Sequence, residues 1–151
     1  MNPSQHIAAS DADHLAQARA ELAEIVSVGR NAHLTTDVDL LLAHDADELT
    51  LIHDGQIETV SRDDSRQRFT ESFRGTTYHV WDFLESPTIH LAKDGSLASV
   101  ASRVRIARTK ERDDGTTERQ GLIYAGLDTY ERREGCWRRM VNASTFEEAY
   151  T

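Results

Sequence analysis

One cysteine in 151 residues, Cys136, excludes an intrachain disulfide and suits a reducing cytosol. Long apolar runs are missing too: none approaches the roughly 20 residues that a membrane-crossing helix needs. The N-terminus lacks the basic-then-apolar order of a signal peptide, so the expected location is the cytoplasm. Basic charge is scarce, with 17 Lys+Arg against 26 Asp+Glu, a net charge of -9 and a pI near 5.2. Nucleic acid and anionic membrane surfaces require a Lys/Arg-rich face and are excluded as partners. Seven histidines are scattered, with no Cys/His cluster and no H-E-x-x-H helix, which argues against a metal. No glycine-rich phosphate loop occurs, and no cofactor is expected. Repeats and low-complexity segments are absent. The length suffices for one core and leaves no room for two, giving a single domain over 11–147 with a flexible N-terminal tail at 1–10 and a C-terminal tail at 148–151.

What the chain does have is periodicity. Leu15, Ala18, Leu22, Ile25, Val26 and Gly29 recur at helical steps and predict a helix to about Ala32, with Ser10 and Asp13 as its cap. Thr36 ahead of Asp39 predicts a short second helix carrying Val38, Leu41 and Leu42. Ser61 with Asp64 predicts a third, with Phe69 and Phe73 facing inward and Gly75 closing it in the left-handed conformation. Between the second and third, Glu48–His53 and Gln56–Val60 read as a hairpin around Asp54-Gly55. After Gly75 only strands are expected: Tyr78–Leu84, Thr88–Ala92, Leu97–Lys110, Glu118–Arg132 and Cys136–Phe146. The last two alternate with period two around Arg133-Glu134-Gly135. Leu122, Tyr124, Gly126, Asp128 and Tyr130 share one face, while Trp137, Val141 and Ala143 alternate with Arg138, Met140, Asn142, Ser144 and Phe146. Helices first and strands after means an α+β domain, a strongly curved antiparallel sheet wrapped around N-terminal helices as a cone-shaped, cystatin-like roll. A bulge or Gly126 is expected to bend the long strands.

The order of elements, with AHDADELTLIHDG before the third helix and GLDTYERREGCWRRMVNAS at the end, resembles the nuclear-transport-factor-2-like superfamily over roughly residues 11–146. Within it, the SnoaL-like and ketosteroid-isomerase-like branch is the most similar. The resemblance implies a cone with a largely apolar pocket, usually in a homodimer, and a hydrophobic small molecule as partner. Such a fold hosts isomerases, dehydratases, cyclases, epoxide hydrolases and noncatalytic modules, so function must come from the site.

For an isomerase, the resemblance places a general base at Asp54, with His53 as alternate, and a protonated acid donor at Asp128. Residues 11–33 hold no tyrosine, so the oxyanion tyrosine would be Tyr124. Competing readings make Asp54-Gly55 a plain turn and pair Asp128 with Arg103, Arg105 or Arg139. An epoxide hydrolase fits poorly, because Arg62-Asp63-Asp64 and Arg112-Asp113-Asp114 fall at a helix start and in a loop. A dehydratase would use His79 or His90 with Tyr78, Trp81 and Tyr124. Trp81, Tyr78 and Tyr130 are the expected ligand-binding residues, with Trp137 in the core and Cys136 a small buried filler. Arg103, Arg105, Arg108 and Lys110 form a basic strip expected to pair with Glu118 and Glu131. Two readings follow: proton transfer on a hydrophobic ketone or polyketide-like compound, or a noncatalytic homodimeric binding or assembly module.

Overall fold

A computed structural model describes residues 3–149, with side chains from Asp11 onward. Three helices, α1 (Pro3–Leu34), α2 (Val38–Leu42) and α3 (Arg62–Phe73), lie against seven strands. These are β1 (Asp45–His53), β2 (Gln56–Ser61), β3 (Thr76–Phe83), β4 (Thr88–Leu91), β5 (Leu97–Glu111), β6 (Thr117–Arg133) and β7 (Cys136–Glu148). The α+β class and the wrapping of helices by one sheet follow the period change seen in the sequence.

Three details differ at the helix ends. Helix α1 begins at Pro3, so Ser10 and Asp13 lie within it and do not cap it. Regular structure also runs past the expected domain limits, while Met1, Asn2, Tyr150 and Thr151 lie outside the described residues. Asp37, rather than Thr36, caps α2 by accepting from the Leu40 amide at 3.0 Å, because Thr36 takes φ +48° in the connecting turn. The capping box on α3 is as expected, the Asp64 amide donating to Ser61 Oγ at 3.0 Å and the Ser61 amide to Asp64 Oδ2 at 3.4 Å.

The sheet runs β2-β1-β7-β6-β5-β3, with β4 also paired to β5. Its hairpins are antiparallel, but β1 lies parallel to β7, so the sheet is mixed. Residues Asp54-Gly55 and Glu134-Gly135 turn the β1–β2 and β6–β7 hairpins with positive φ at both positions, the geometry that matches strand twist.

Two irregularities decide what faces inward. Between Tyr78 and Val80 the β3–β5 register shifts by one. This bulge lets Tyr78 and Trp81, three positions apart, face the same side, with His79 outside. On β7 the pairing jumps from Tyr130↔Arg139 to Thr129↔Val141, leaving Met140 as the extra residue. Arg139 and Asn142 therefore both face the helices, and the strict alternation expected for this arm is corrected: Trp137 and Arg139 share the inner face with Asn142, Ser144 and Phe146. Strand β5 carries no bulge.

The apolar interior forms two clusters. Ala18 and Leu22 of α1 pack on Ala98, Val100, Tyr130 and Trp137, with Trp137 only 3% exposed. Phe73 of α3 packs with Tyr78, Val104 and Ile106. Cys136 is exposed at the start of β7, so it is no core filler; the turn at Glu134-Gly135 leaves it outside the helices. No described helix is long and apolar enough to cross a membrane.

Candidate functional site

Between the two clusters lies a cavity of ≈ 440 Å³, walled by α1, α3 and the inner face of the sheet. That volume falls within the range that holds a drug-sized molecule. Tyr78, Trp81, Tyr124, Asp128 and Tyr130 all line it, because each sits on the inward parity of its strand.

Asp54 is not among them. Its side chain is 91% exposed at the hairpin tip, and Asp54 Oδ2 lies 3.2 Å from His53 Nδ1. The general-base assignment is therefore corrected: the residue forms the exposed turn and is not among those that line the cavity. His79 is also outside, bonded to Thr109 Oγ1 at 2.7 Å across the strand pair. His53 reaches the cavity wall but is engaged by Glu58 at 2.8 Å, which raises its basicity. Hydrogen bonds from Arg68 and His53 hold Glu58 down at about 2. His90 is exposed on β4.

The polar end of the cavity is built around Arg139. Its Nε and Nη2 donate to Asp45 Oδ1 and Oδ2 at 2.7 and 3.1 Å, and its Nη1 to Asp128 Oδ1 at 3.2 Å. The three side chains are 18%, 4% and 20% exposed. Burial alone would lower the basicity of Arg139; Asp128 and Asp45 outweigh it and hold the guanidinium above its ordinary value. Asn142 Nδ2 donates to the same Asp128 oxygen at 2.8 Å and to Tyr124 Oη at 3.1 Å. Asp128 thus takes the pairing with Arg139 that stood among the competing readings, its Oδ1 shared between the guanidinium and the Asn142 amide. Its Oδ2 takes no hydrogen bond from the described residues. Tyr124 uses a lone pair toward Asn142, and its own proton remains available. Burial and Asp128 raise the pKa of Tyr124, and do the same for Tyr130, keeping both phenols neutral.

Tyr124 is held in place by an absence. Its ring lies back over Gly126, two residues on along the same face, where a Cβ would stand 1.9 Å from Tyr124 Oη and 2.3 Å from Cζ. Gly126 thus serves as a seat for the ring.

Sequence reasoning missed His33 and Asp45. His33, in the last turn of α1, stacks on Trp81 with ring centroids 3.7 Å apart at 15° and meets Tyr78 and Phe73 edge-on. Its Nδ1 lies 2.8 Å from the Gly29 carbonyl, which can only accept, so Nδ1 carries the proton and Nε2 is the lone-pair nitrogen. The ring stands on the cavity wall, stacked on Trp81. Burial, then the charges of Arg139 and Arg108, lower its pKa from 6.5 to about 4, against the opposing Gly29 bond. Asp45 was missed because the first strand begins three residues before the expected Glu48.

The depressed histidine has a consequence for stability. The unfolded chain binds this proton below about pH 6.5 and the folded chain only near pH 4, so stability falls as pH drops through that window. The full loss is roughly 3 kcal/mol. Urea midpoints measured at steps from pH 7 to 4 are expected to fall, and the slope is expected to shrink in His33→Gln. His44, lowered by burial and Arg138, contributes with the same sign and survives in that variant. An unchanged slope in the variant would contradict this placement of His33.

No family model matches the sequence, and no curated protein matches it. Solved structures do match in fold. An NTF2-like protein from Cytophaga hutchinsonii is similar at 16% identity, over 84% of this chain and 96% of that one, with a TM-score of 0.63. An NTF2-like protein of unknown function from Pseudomonas putida is similar at 13% identity, over 86% and 87%, with a TM-score of 0.65. A ketosteroid isomerase-like protein from Erwinia carotovora atroseptica is similar at 14% identity, over 85% and 93%, with a TM-score of 0.62. At these identities the likeness is one of fold alone. The chain has the nuclear-transport-factor-2-like fold.

Proposed function

We propose that the protein binds a largely apolar organic molecule in the cavity and orients it by a keto or hydroxyl oxygen at Tyr124 and Asp128. The observation that carries this reading is the lopsided chemistry of the cavity. Aromatic and aliphatic walls surround a polar cluster in which Asn142 bonds Tyr124 Oη and Asp128 Oδ1, leaving the phenol proton and Asp128 Oδ2 unshared. For a ketone, Tyr124 polarises the carbonyl and Asp128 accepts a proton from the adjacent carbon, a cofactor-independent proton transfer of the isomerase or cyclase type.

Trp81 on the cavity wall reports binding, and Trp137 in the core provides an internal reference. Titration with hydrophobic ketones is expected to give a saturable fluorescence change that disappears in Trp81→Phe. Alpha-proton exchange of the bound ketone, followed by NMR in deuterated buffer, is expected to fall at least tenfold in Asp128→Asn and Tyr124→Phe. Equal exchange in all three proteins would overturn the chemistry, and no saturable binding would overturn the pocket.

A feature of the opposite sheet face favours self-association as well. Ile57, Ile52, Ala143, Leu127 and Ala101 pair in register across five strands, forming one apolar row on the convex side. Ile57 is 76% exposed and Leu127 42%. A row of this kind suits a homodimer packed sheet to sheet. Sedimentation equilibrium is expected to show dimer that Leu127→Asp dissociates; monomer at every concentration would remove this proposal.

A further inference from the structure

We propose that the ligand of this cavity carries a carboxylate, held by Arg108 at the end away from Tyr124. The inference rests on the binding role given to the cavity above. Charge accounting along the wall leads to it. Arg139 is matched by Asp45 and Asp128, Arg68 by Glu58 at 3.0 Å, and Arg30 by Asp82 at 3.8 Å with a further bond to the Trp81 carbonyl. Arg108 is the exception. Half-buried on the inward face of β5, it donates from Nε to Gln120 Oε1 at 2.8 Å and from Nη1 to Tyr78 Oη at 3.3 Å, both neutral acceptors. Among the described residues it has no carboxylate partner, and its Nη2 donates to none of them. The expected pairing of Arg108 with acids of the neighbouring strand is thereby corrected, since its parity turns it inward, opposite to Arg103 and Arg105.

A guanidinium fixed in orientation by two neutral acceptors, with one nitrogen unspent, is prepared for a planar two-oxygen anion. Leaving such a charge half-buried without a counter-ion is costly, and a ligand carboxylate removes that cost. One free cation balances one negative charge, which favours a carboxylate over a phosphate monoester. The field of Arg108 already reaches into the cavity, where it helps to keep His33 neutral. In the β5–β6 register Val104 faces Tyr124 and Arg108 faces Gln120. Four residues of strand, roughly 13 Å, separate the two levels. The fitting molecule is therefore elongated, with a keto or hydroxyl oxygen toward one end, a carboxylate at the other, and an aliphatic or fused-ring body against Trp81 and His33.

The test is calorimetric titration with a hydrophobic keto acid of that length and with its methyl ester, against the native protein, Arg108→Met and Arg108→Lys. The native protein is expected to prefer the acid at least tenfold. Arg108→Met is expected to lose the preference while keeping its affinity for the ester, which also shows that the variant is folded, and Arg108→Lys to keep part of the preference. Equal affinity for acid and ester in the native protein, or a preference that survives in Arg108→Met, overturns the assignment and leaves the cavity reading intact. Failure of both compounds to bind the native protein overturns both.

Discussion

Replacing Arg139 by methionine is expected to destabilise the fold by about 3–5 kcal/mol, since breaking a buried ion pair leaves the opposite charge uncompensated. Here two carboxylates would be stranded: Asp45 is 4% exposed and loses both of its hydrogen bonds to the guanidinium, and Asp128 is 20% exposed and keeps only Asn142. Total stabilities of single domains are about 5–15 kcal/mol, so the variant would be near the limit of folding. Urea denaturation with unchanged m-value is the measurement. Adding Asp45→Asn to Arg139→Met is expected to restore part of the loss, because it removes one orphaned charge. A loss below about 1 kcal/mol would place the pair in solvent and contradict the geometry.

The second large effect concerns Gly126. Alanine there would put Cβ inside the Tyr124 ring, and the ring's far end is what must move. The tyrosine would swing into the cavity, lose Asn142 and occupy the space meant for a ligand. Stability is expected to fall by about 1–3 kcal/mol, the usual cost of overpacking. Ligand affinity is expected to drop more than tenfold, further than in Tyr124→Phe, which keeps the cavity open. Fluorescence titration of both variants beside the native protein distinguishes the cases. Equal affinity for Gly126→Ala and native protein would show that Tyr124 does not border the ligand.

The difference between what was legible in the sequence and what was not lies in where side-chain periodicity holds. On β6, Leu122, Tyr124, Gly126, Asp128 and Tyr130 keep strict period two, so their common inward face could be read directly, and Arg139 was among the partners anticipated for Asp128. On β7 and β3 the extra residue at each bulge is set by pairing with neighbouring strands, which local pattern does not encode. That hid the joint approach of Arg139 and Asn142 and the shared face of Tyr78 and Trp81. His33 resembled an ordinary helix-end histidine, because its burial comes from Trp81, Tyr78 and Phe73, all more than 35 positions away. Asp54-Gly55 carried a strong turn signal, and the turn prevailed over the base.

The central claim is that the apolar hollow takes a ligand whose oxygen meets Tyr124 and Asp128. A crystal structure of the protein soaked with an elongated hydrophobic ketone addresses it most directly. The expected density runs along Trp81 and His33, with the ketone oxygen within about 3 Å of Tyr124 Oη, an ordinary hydrogen-bond length. Side chains filling the hollow, or a ligand bound only on the convex face of the sheet, would contradict it.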